Sequence, residues 1–530
     1  MEAEPRTTRG RWPHNPVIYQ IYPRSFRDST GTGEGDLRGI TERLDHVADL
    51  GVDAIWLSPF FVSPMCDGGY DVADHAAVDP RFGTLEDFDA LVDRAHDLGL
   101  LVMIDQVFNH TSKDHPWYKR SALREPPYEN FYVWADPNPD GSPPTNWIGF
   151  FGAHAWRWNP RRRQYCLHQF LPCQPCLNHH CPELRARQNA ITAFWRDRGV
   201  DGFRYDAVTA YFHDRALPDN PPADLGGAQP INPFEYQLHQ HDMMPNDCAA
   251  FSAELRDAAG PDAYLLGEIN GDDLSVELVR KFSRSDRLDA AYTQELPSSP
   301  KLAPTLRRLI EDGAGQGAMA WWLSSHDQPR RISRAGDGSA RDARLHAGLL
   351  LALPGPVMIF QGDEIGQQQA HLEYHQLRDQ FDRNYWPATA GRDGARAPLP
   401  WDSEAPNAGF GSGEPWLPIG TAEQGGVAQQ RQDDESVLAF HKRALALRAR
   451  LGLADAAIEI EQADGDQLVL RLQGAKGPVV VALNESDKTC PVPPRVAGRE
   501  PLLGSCTLST DGLPPRSVFW WHLDDAAPGA

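Results

Sequence analysis

Three junctions in the chain repeat one local pattern. DLGVDAIWLSPFF (49–61), DLGLLVMIDQVFNH (97–110) and DRGVDGFRYDAV (197–208) each close a helical stretch at a glycine and run on into a short apolar segment. Gly51, Gly99 and Gly199 stand where a left-handed C-terminal cap belongs. Thr84, with Asp87 three residues on, is a helix start. A helix followed by a short buried strand, repeated, is the mark of parallel βα units.

Eight runs carry the strand pattern: VIYQIYP (17–23), AIWLSPF (54–60), LVMIDQV (101–107), GFRYDAV (202–208), YLLGEI (264–269), RLDAAYT (287–293), MAWWLSS (319–325) and PVMIFQG (356–362). The predicted fold class is α/β, a (β/α)8 TIM barrel. Most runs end in polar residues: Asp105, Asp206, Glu268, His326–Asp327 and Asp363–Glu364. Capping of the next helix explains one or two of these, not a converging set of carboxylates. In such barrels the active site lies at the C-terminal ends of the strands. Residues 111–180, rich in Pro, Trp and Asn, are too long for an ordinary βα loop and read as a subdomain inserted after strand 3. Residues 213–247 form a second long loop. The alternation in AIEIE, QLVLRL, PVVVAL and SVFWWHL marks a C-terminal antiparallel β domain over 451–530, leaving 1–110 and 181–450 to the barrel.

The 530 residues carry 51 Lys plus Arg against 73 Asp plus Glu, a formal net charge of −22. Such a surface repels nucleic acid and anionic membranes and suits a neutral small molecule. MEAEPRTTRGRWPHNP (1–16) holds no apolar leader, and no run is long enough to span a bilayer. Eight Cys in this length are too sparse for a disulfide scaffold. The expectation is a soluble cytoplasmic protein. PCQPCLNHHCPE (172–183) nevertheless has zinc-like spacing, with Cys173, Cys176 and Cys181 around His179 and His180.

DQVFNH (105–110), GFRYDAV (202–208), LLGEIN (265–270) and SSHDQPR (324–330) resemble, in order, the four signature regions of the α-amylase family of glycoside hydrolases. IYQIYPRSF, GGYDVADH (68–75), FQGDE (360–364) and RDGARAPLPW (392–401) resemble its α-glucosidase branch. The family carries a Q-P-D-L-N element after the inserted subdomain. QPCLN (174–178) matches it with Cys176 in place of Asp, so the cysteine loop is expected from the architecture, with free thiols rather than zinc.

The resemblance implies roles. Retaining glycoside hydrolysis needs a carboxylate nucleophile and a protonated carboxylic acid about 5–5.5 Å apart. Asp206 would be the nucleophile and Glu268 the general acid/base. Arg204 shares a strand face with Asp206 and would hold it ionised. Asp327 would grip sugar hydroxyls and support the transition state, with His110 and His326 bonding the same ring. Asp105 and Asn109 would be supports beneath the site. Tyr70 would face the sugar, and Asp67 would pair with a distant arginine, best matched by Arg396 and less well by Arg392, to close the pocket floor. A closed pocket implies exo-action on short α-glucosides.

Two departures matter. Ser325 stands where the branch often has Asn. In DSTGTGEGD (28–36), Thr30 and Thr32 replace two ligands of a metal loop, leaving Asp28 and Asp36. Calcium and magnesium prefer carboxylates, so no cofactor is required and a bound calcium or magnesium is not the expected state. The expected activity is an α-glucosidase preferring α-1,4 bonds, because Ala207 follows the nucleophile where relatives that favour α-1,6 bonds carry Val, with some transfer to sugar or alcohol acceptors. The rivals are a transglucosylase or sucrose-acting enzyme on the same scaffold and a non-catalytic member serving as a binding or scaffold subunit.

Overall fold

Strand β1 (Val17–Ile21) leads through helix α1 (Leu37–Leu50) to β2 (Ala54–Leu57). Helix α2 (Leu85–Asp97) then feeds β3 (Leu101–Gln106). A computed structural model describes residues 11–270, 275–316 and 318–523. The expected ends of the first and last domains, 1–10 and 524–530, lie outside these residues. After α3 (Pro182–Arg196) come β4 (Gly202–Tyr205), β5 (Tyr264–Ile269), β6 (Ala290–Thr293) and β7 (Val357–Phe360). All pair in parallel in the order β6-β5-β4-β3-β2-β1-β7. The run 319–325, expected as a strand, joins the gap between β6 and β7 only through single parallel bridges, Ala291 to Met319 and Trp321 to Val357. The result is a (β/α)8 barrel.

The caps follow the sequence. Gly51 adopts φ 87° and closes α1 with its N–H on Ala48 O. Thr84 and Asp87 form a reciprocal capping box on α2. The barrel strands are buried on both sides, and their two-residue period sorts them. Ile18, Ala54, Trp56, Met103, Leu266, Tyr292 and Met358 meet inside the barrel, while Tyr19, Ile55, Ile104 and Phe203 face the helices. Gly202 lies on the inner face because a Cβ there would stand 2.9 Å from Trp12, which plugs the bottom and stacks on Tyr264 at 4.9 Å. Two residues further up each strand, the same inner parity places Gln20, Asp105, Arg204 and Glu268. The apolar interior thus ends in a polar layer at the strands' C-terminal ends.

Within 111–180, Trp134–Ala135, Gln164–Leu167 and Trp156–Asn159 form a small antiparallel sheet. The C-terminal sheet is antiparallel, with β8 (Ala457–Asp464), β9 (Gln467–Gly474), β10 (Gly477–Asn484), β11 (Leu503–Gly504) and β12 (Ser517–His522) in the order β8-β9-β10-β12-β11. It docks on the barrel through Trp520, whose Nε1 donates to Gly348 O at 2.9 Å. Among the described residues, no helix is long and apolar enough to cross a membrane.

Candidate active site

Strand register builds the centre. Asp105 pairs with Arg204 across β3 and β4, and Leu266 pairs with Arg204 across β4 and β5. Glu268, two residues past Leu266, therefore points inward beside Arg204. The guanidinium is fully buried. Its Nη1 donates to Asp105 Oδ1 and to Asp206 Oδ1, both at 2.6 Å, and its Nη2 to Glu268 Oε2 at 2.7 Å. Tyr292, paired with Glu268 by register, lies 2.6 Å from Nη2. Trp56 Nε1 and Tyr70 Oη donate to the other oxygen of Asp105 at 2.9 and 3.1 Å. Asp105, expected as a support, is bonded to Arg204, Trp56 and Tyr70. Asn109, the other expected support, donates to Gln169 Oε1 and Ala210 O.

Asp206 and Glu268 sit on the two arms of one guanidinium, which suits the short spacing of a retaining carboxyl pair, about 5–5.5 Å. Ala207 adds a bond from its N–H to Glu268 Oε2 at 3.1 Å, and it does so from the left-handed region, at φ 43°. Burial raises both carboxyls, Asp206 to about 7 and Glu268 to about 8, with Arg204 pulling each back down. Burial thus favours a shared proton on this pair of carboxyls. The arrangement can supply a proton donor and a carboxylate side by side.

Asp327 has another environment. Burial opposes its ionisation, but the charges of His326 when protonated, then Arg392, Arg396 and Arg204, hold it well below the usual carboxylate range. Burial pushes His326 down to about 3, leaving it neutral, and Gln20 Nε2 donates to its Nδ1 at 2.7 Å. Its Nε2 faces Asp327 Oδ2 at 3.1 Å. Tyr70 stacks on the His326 ring at 5.0 Å with planes 2° apart. His110 is likewise held neutral by burial, with its Nε2 3.0 Å from Gln174 Nε2. Ser325 accepts the Asp327 N–H at 3.1 Å, so the shorter side chain is used locally.

The expected arginine partner of Asp67 is corrected. Arg392, not Arg396, bonds Asp67 Oδ1 at 2.8 Å and reaches Asp327 Oδ1 at 3.1 Å. Arg396 lies behind it, donating to His326 O at 2.9 Å and to Asp379 Oδ2 at 2.8 Å. Asp379, which also pairs with Arg392, was not singled out in the sequence. It is also the N-cap of Gln380–Tyr385, and RDQF carries no other sign of its role. Gln174 was within reach, since it opens the QPCLN element; its Nε2 donates to Asp67 Oδ2 at 2.9 Å. Asp363 and Glu364 end β7 without joining the site: Asp363 pairs with Arg330, and Glu364 accepts from Tyr19.

These residues enclose a cavity of about 400 Å³. Asp67, Arg392 and Asp327 make its floor. Phe150, Phe151, Phe170 and Phe381 add an aromatic lining, and Asn270, Gln294 and Gln328 a polar one.

The cysteine loop differs from expectation. Cys173 is bonded to Cys66, so it is not a free thiol. Cys176 and Cys181 are free and buried. Cys176 Sγ accepts from Gln169 N, and the ring of His179 stacks on Tyr211, so the zinc-like spacing does not converge on one point. In the 28–36 loop, Asp28 accepts the N–H groups of Thr30, Gly31, Thr32 and Gly33. Asp36 caps α1 on Gly39 N and accepts from Ser29. Between them the two carboxylates accept hydrogen bonds from the loop and from the first turn of α1.

The sequence profile described as the alpha amylase catalytic domain matches residues 20–454. A probable alpha-glucosidase of Rhizobium meliloti is 42% identical over 511 residues, 93% of each chain. An oligo-1,6-glucosidase of Heyndrickxia coagulans is 34% identical, over 90% of this chain and 93% of that one. Among solved structures, an alpha-glucosyl transfer enzyme is 39% identical with a TM-score of 0.89, covering 96% of this chain and 99% of the other.

Arg204 stabilises the charged form of Asp105, Asp206 and Glu268. Arg204→Met should therefore raise all three carboxyls further. A carboxyl whose folded value is raised costs stability above its unfolded pKa and is relieved as pH falls through the folded value. The variant should lose about 3–5 kcal/mol at pH 8 and clearly less at pH 5. The check is denaturant unfolding of both proteins at the two pH values; a loss independent of pH would contradict the ionic account.

Proposed function

The chain belongs to the alpha-amylase family of glycoside hydrolases, and from that premise we propose that it is an exo-acting retaining α-glucosidase. It releases glucose from the non-reducing end of short α-glucosides, α-1,4 bonds preferred. The observation that carries this reading is one buried guanidinium bridging Asp206 and Glu268 above a floor closed by Asp67 and Arg392.

The reaction follows from these positions. Asp206 attacks the anomeric carbon from the face opposite the leaving oxygen. Glu268 gives its proton to that oxygen, so the aglycone departs as a neutral alcohol. The product is a glucosyl ester on Asp206. Glu268, now a carboxylate, takes a proton from the incoming hydroxyl, which attacks the same carbon and releases Asp206. Two inversions give net retention. Asp327 is ionised and carries the charge for gripping ring hydroxyls.

Water, a sugar or an alcohol can be the second nucleophile, so transglucosylation accompanies hydrolysis. The likeness to an alpha-glucosyl transfer enzyme favours this second reading. So does the mouth, where Gln328 donates to Gln294, which in turn lies 3.4 Å from Glu268 Oε1. These amides can hold a polar acceptor next to the acid/base. A scaffold role gains no support, because all three carboxyls line one cavity. We propose a cytoplasmic location, where the Cys66–Cys173 bond would face a reducing thiol pool.

Two tests follow from the pocket. Arg392→Lys removes the fork that joins Asp67 to Asp327, and a single ammonium cannot replace it. For maltose, kcat/KM should fall by about 30-fold or more, while unfolding stays cooperative. A smaller loss than that seen for Arg396→Lys would restore Arg396 to the floor. For linkage, Ala207 packs with Ala210 and Met243 against Phe150 and Phe170, so its size limits where the second sugar runs. Wild type should cleave maltose faster than isomaltose, and Ala207→Val should narrow or reverse that ratio by about 10–200-fold. A β-branched residue is strained at φ 43°, and the ratio of two substrates on one preparation is unaffected by a smaller active fraction. Faster cleavage of isomaltose by the wild type would refute the linkage reading alone.

A further inference from the structure

The disulfide touches the pocket through two adjacent residues. Cys66 immediately precedes Asp67, and Cys173 immediately precedes Gln174. Gln174 donates to Asp67 at 2.9 Å; both are buried, and Asp67 lines the cavity while Gln174 stands behind it. Asp67 holds Arg392, and Gln174 reaches His110. The bond closes a sequence separation of 107 residues, joining the loop after β2 to the far end of the inserted subdomain. The Cys173 segment is otherwise held to the chain after β3, by Lys113 N to Cys173 O at 2.8 Å, Thr111 N to Pro175 O at 3.3 Å and Leu177 N to Asn109 O at 2.9 Å, and none of these bonds reaches the Cys66 loop. On the other strand of the junction, Asp71 accepts the N–H groups of Cys66 and Asp67, which fixes the Cys66 loop but not its distance from Gln174. Cys66 is half-buried and Cys173 buried, so attack by an external thiol is directed at Cys66.

We propose that the Cys66–Cys173 disulfide is a redox-sensitive positioning element for the sugar pocket. Oxidised, it holds Asp67 and Gln174 in register, and reduction loosens that register and weakens sugar binding. The step is thiol–disulfide exchange with a dithiol reductant. One reductant thiolate attacks Cys66 Sγ, releasing the Cys173 thiolate and forming a mixed disulfide. The second reductant thiol attacks that bond and releases Cys66. Two electrons and two protons pass to the enzyme, giving two thiols, and the reductant ends as a disulfide. The chain holds eight cysteines, and the other six are free, so the change is countable. Asp206, Glu268 and Arg204 lie on the barrel strands and keep their contacts, so binding should move more than chemistry. The inference rests on the α-glucosidase reading for the identity of the sugar.

The experiment uses the full-length protein. Alkylation under denaturing conditions without reductant should label six cysteines and leave a linked peptide pair from Cys66 and Cys173. After dithiothreitol, KM for maltose and Kd for glucose should rise by about fivefold or more, the scale of an ordinary coupling, with kcat within about twofold. Reoxidation should restore both. Cys66→Ser should show the raised values from the start and no response to dithiothreitol. Eight labelled cysteines in the untreated protein would overturn the proposal, as would an unchanged KM and Kd after complete reduction. A redox-dependent Kd for glucose in a protein that cleaves no α-glucoside would sink the glucosidase reading and leave this one standing.

Discussion

One buried arginine faces three carboxyls. Arg204 bonds Asp105, Asp206 and Glu268 through a single guanidinium with no solvent exposure. Burying an unpaired charge costs several kcal/mol, so one cation cannot sustain three ionised partners in that space. A proton has to remain in the cluster. Burial raises both Asp206 and Glu268, so the proton stays on that pair. The acid's proton is therefore a consequence of how few positive charges the barrel mouth contains. A second cluster repeats the theme with a different balance. Arg392 and Arg396 face Asp67, Asp327 and Asp379, and there two cations keep Asp327 ionised. One pocket thus holds a neutral acid and a stably ionised carboxylate a short distance apart.

The barrel makes this affordable by rigidity. Each charged group projects from a strand end whose neighbours are fixed by backbone register, and the layer beneath is apolar and closed by Trp12. Asp105 is tied by Trp56 and Tyr70 as well as by Arg204, so the cation cannot swing toward solvent. Other parts of the pocket sit on its rim instead. The inserted segment supplies Phe150, Phe170 and Gln174, and the chain after β7 supplies Asp379, Phe381 and Arg392. The bond-breaking pair of the proposed reaction belongs to the barrel.

What could be read from the sequence divides along the same line. Strand ends were legible, because an apolar run that stops at Asp206 or Glu268 leaves little freedom in where the side chain goes. The run 319–325 was legible as apolar periodicity, though its pairing is too sparse to form a ladder. Pairings between distant loops were not legible. Arg392 and Arg396 are four residues apart in RDGARAPLPW, and only the turn between them decides which reaches Asp67. Cys66 stands alone in its loop, over a hundred residues from Cys173, so no local spacing announced the bond. The C-x-x-C that drew the eye toward zinc misled, because its first cysteine is turned toward a different loop.

The central claim is that Asp206 and Glu268 cleave the glycosidic bond by two displacements at one carbon. Proton NMR of the glucose released from an aryl α-glucoside, whose leaving group is not a sugar, reads this directly, before mutarotation mixes the anomers. The account predicts that the α-anomer appears first, with the β-anomer growing in only at the rate of mutarotation. The β-anomer appearing first would mean a single displacement and would contradict the mechanism built on Arg204 and its three carboxyls.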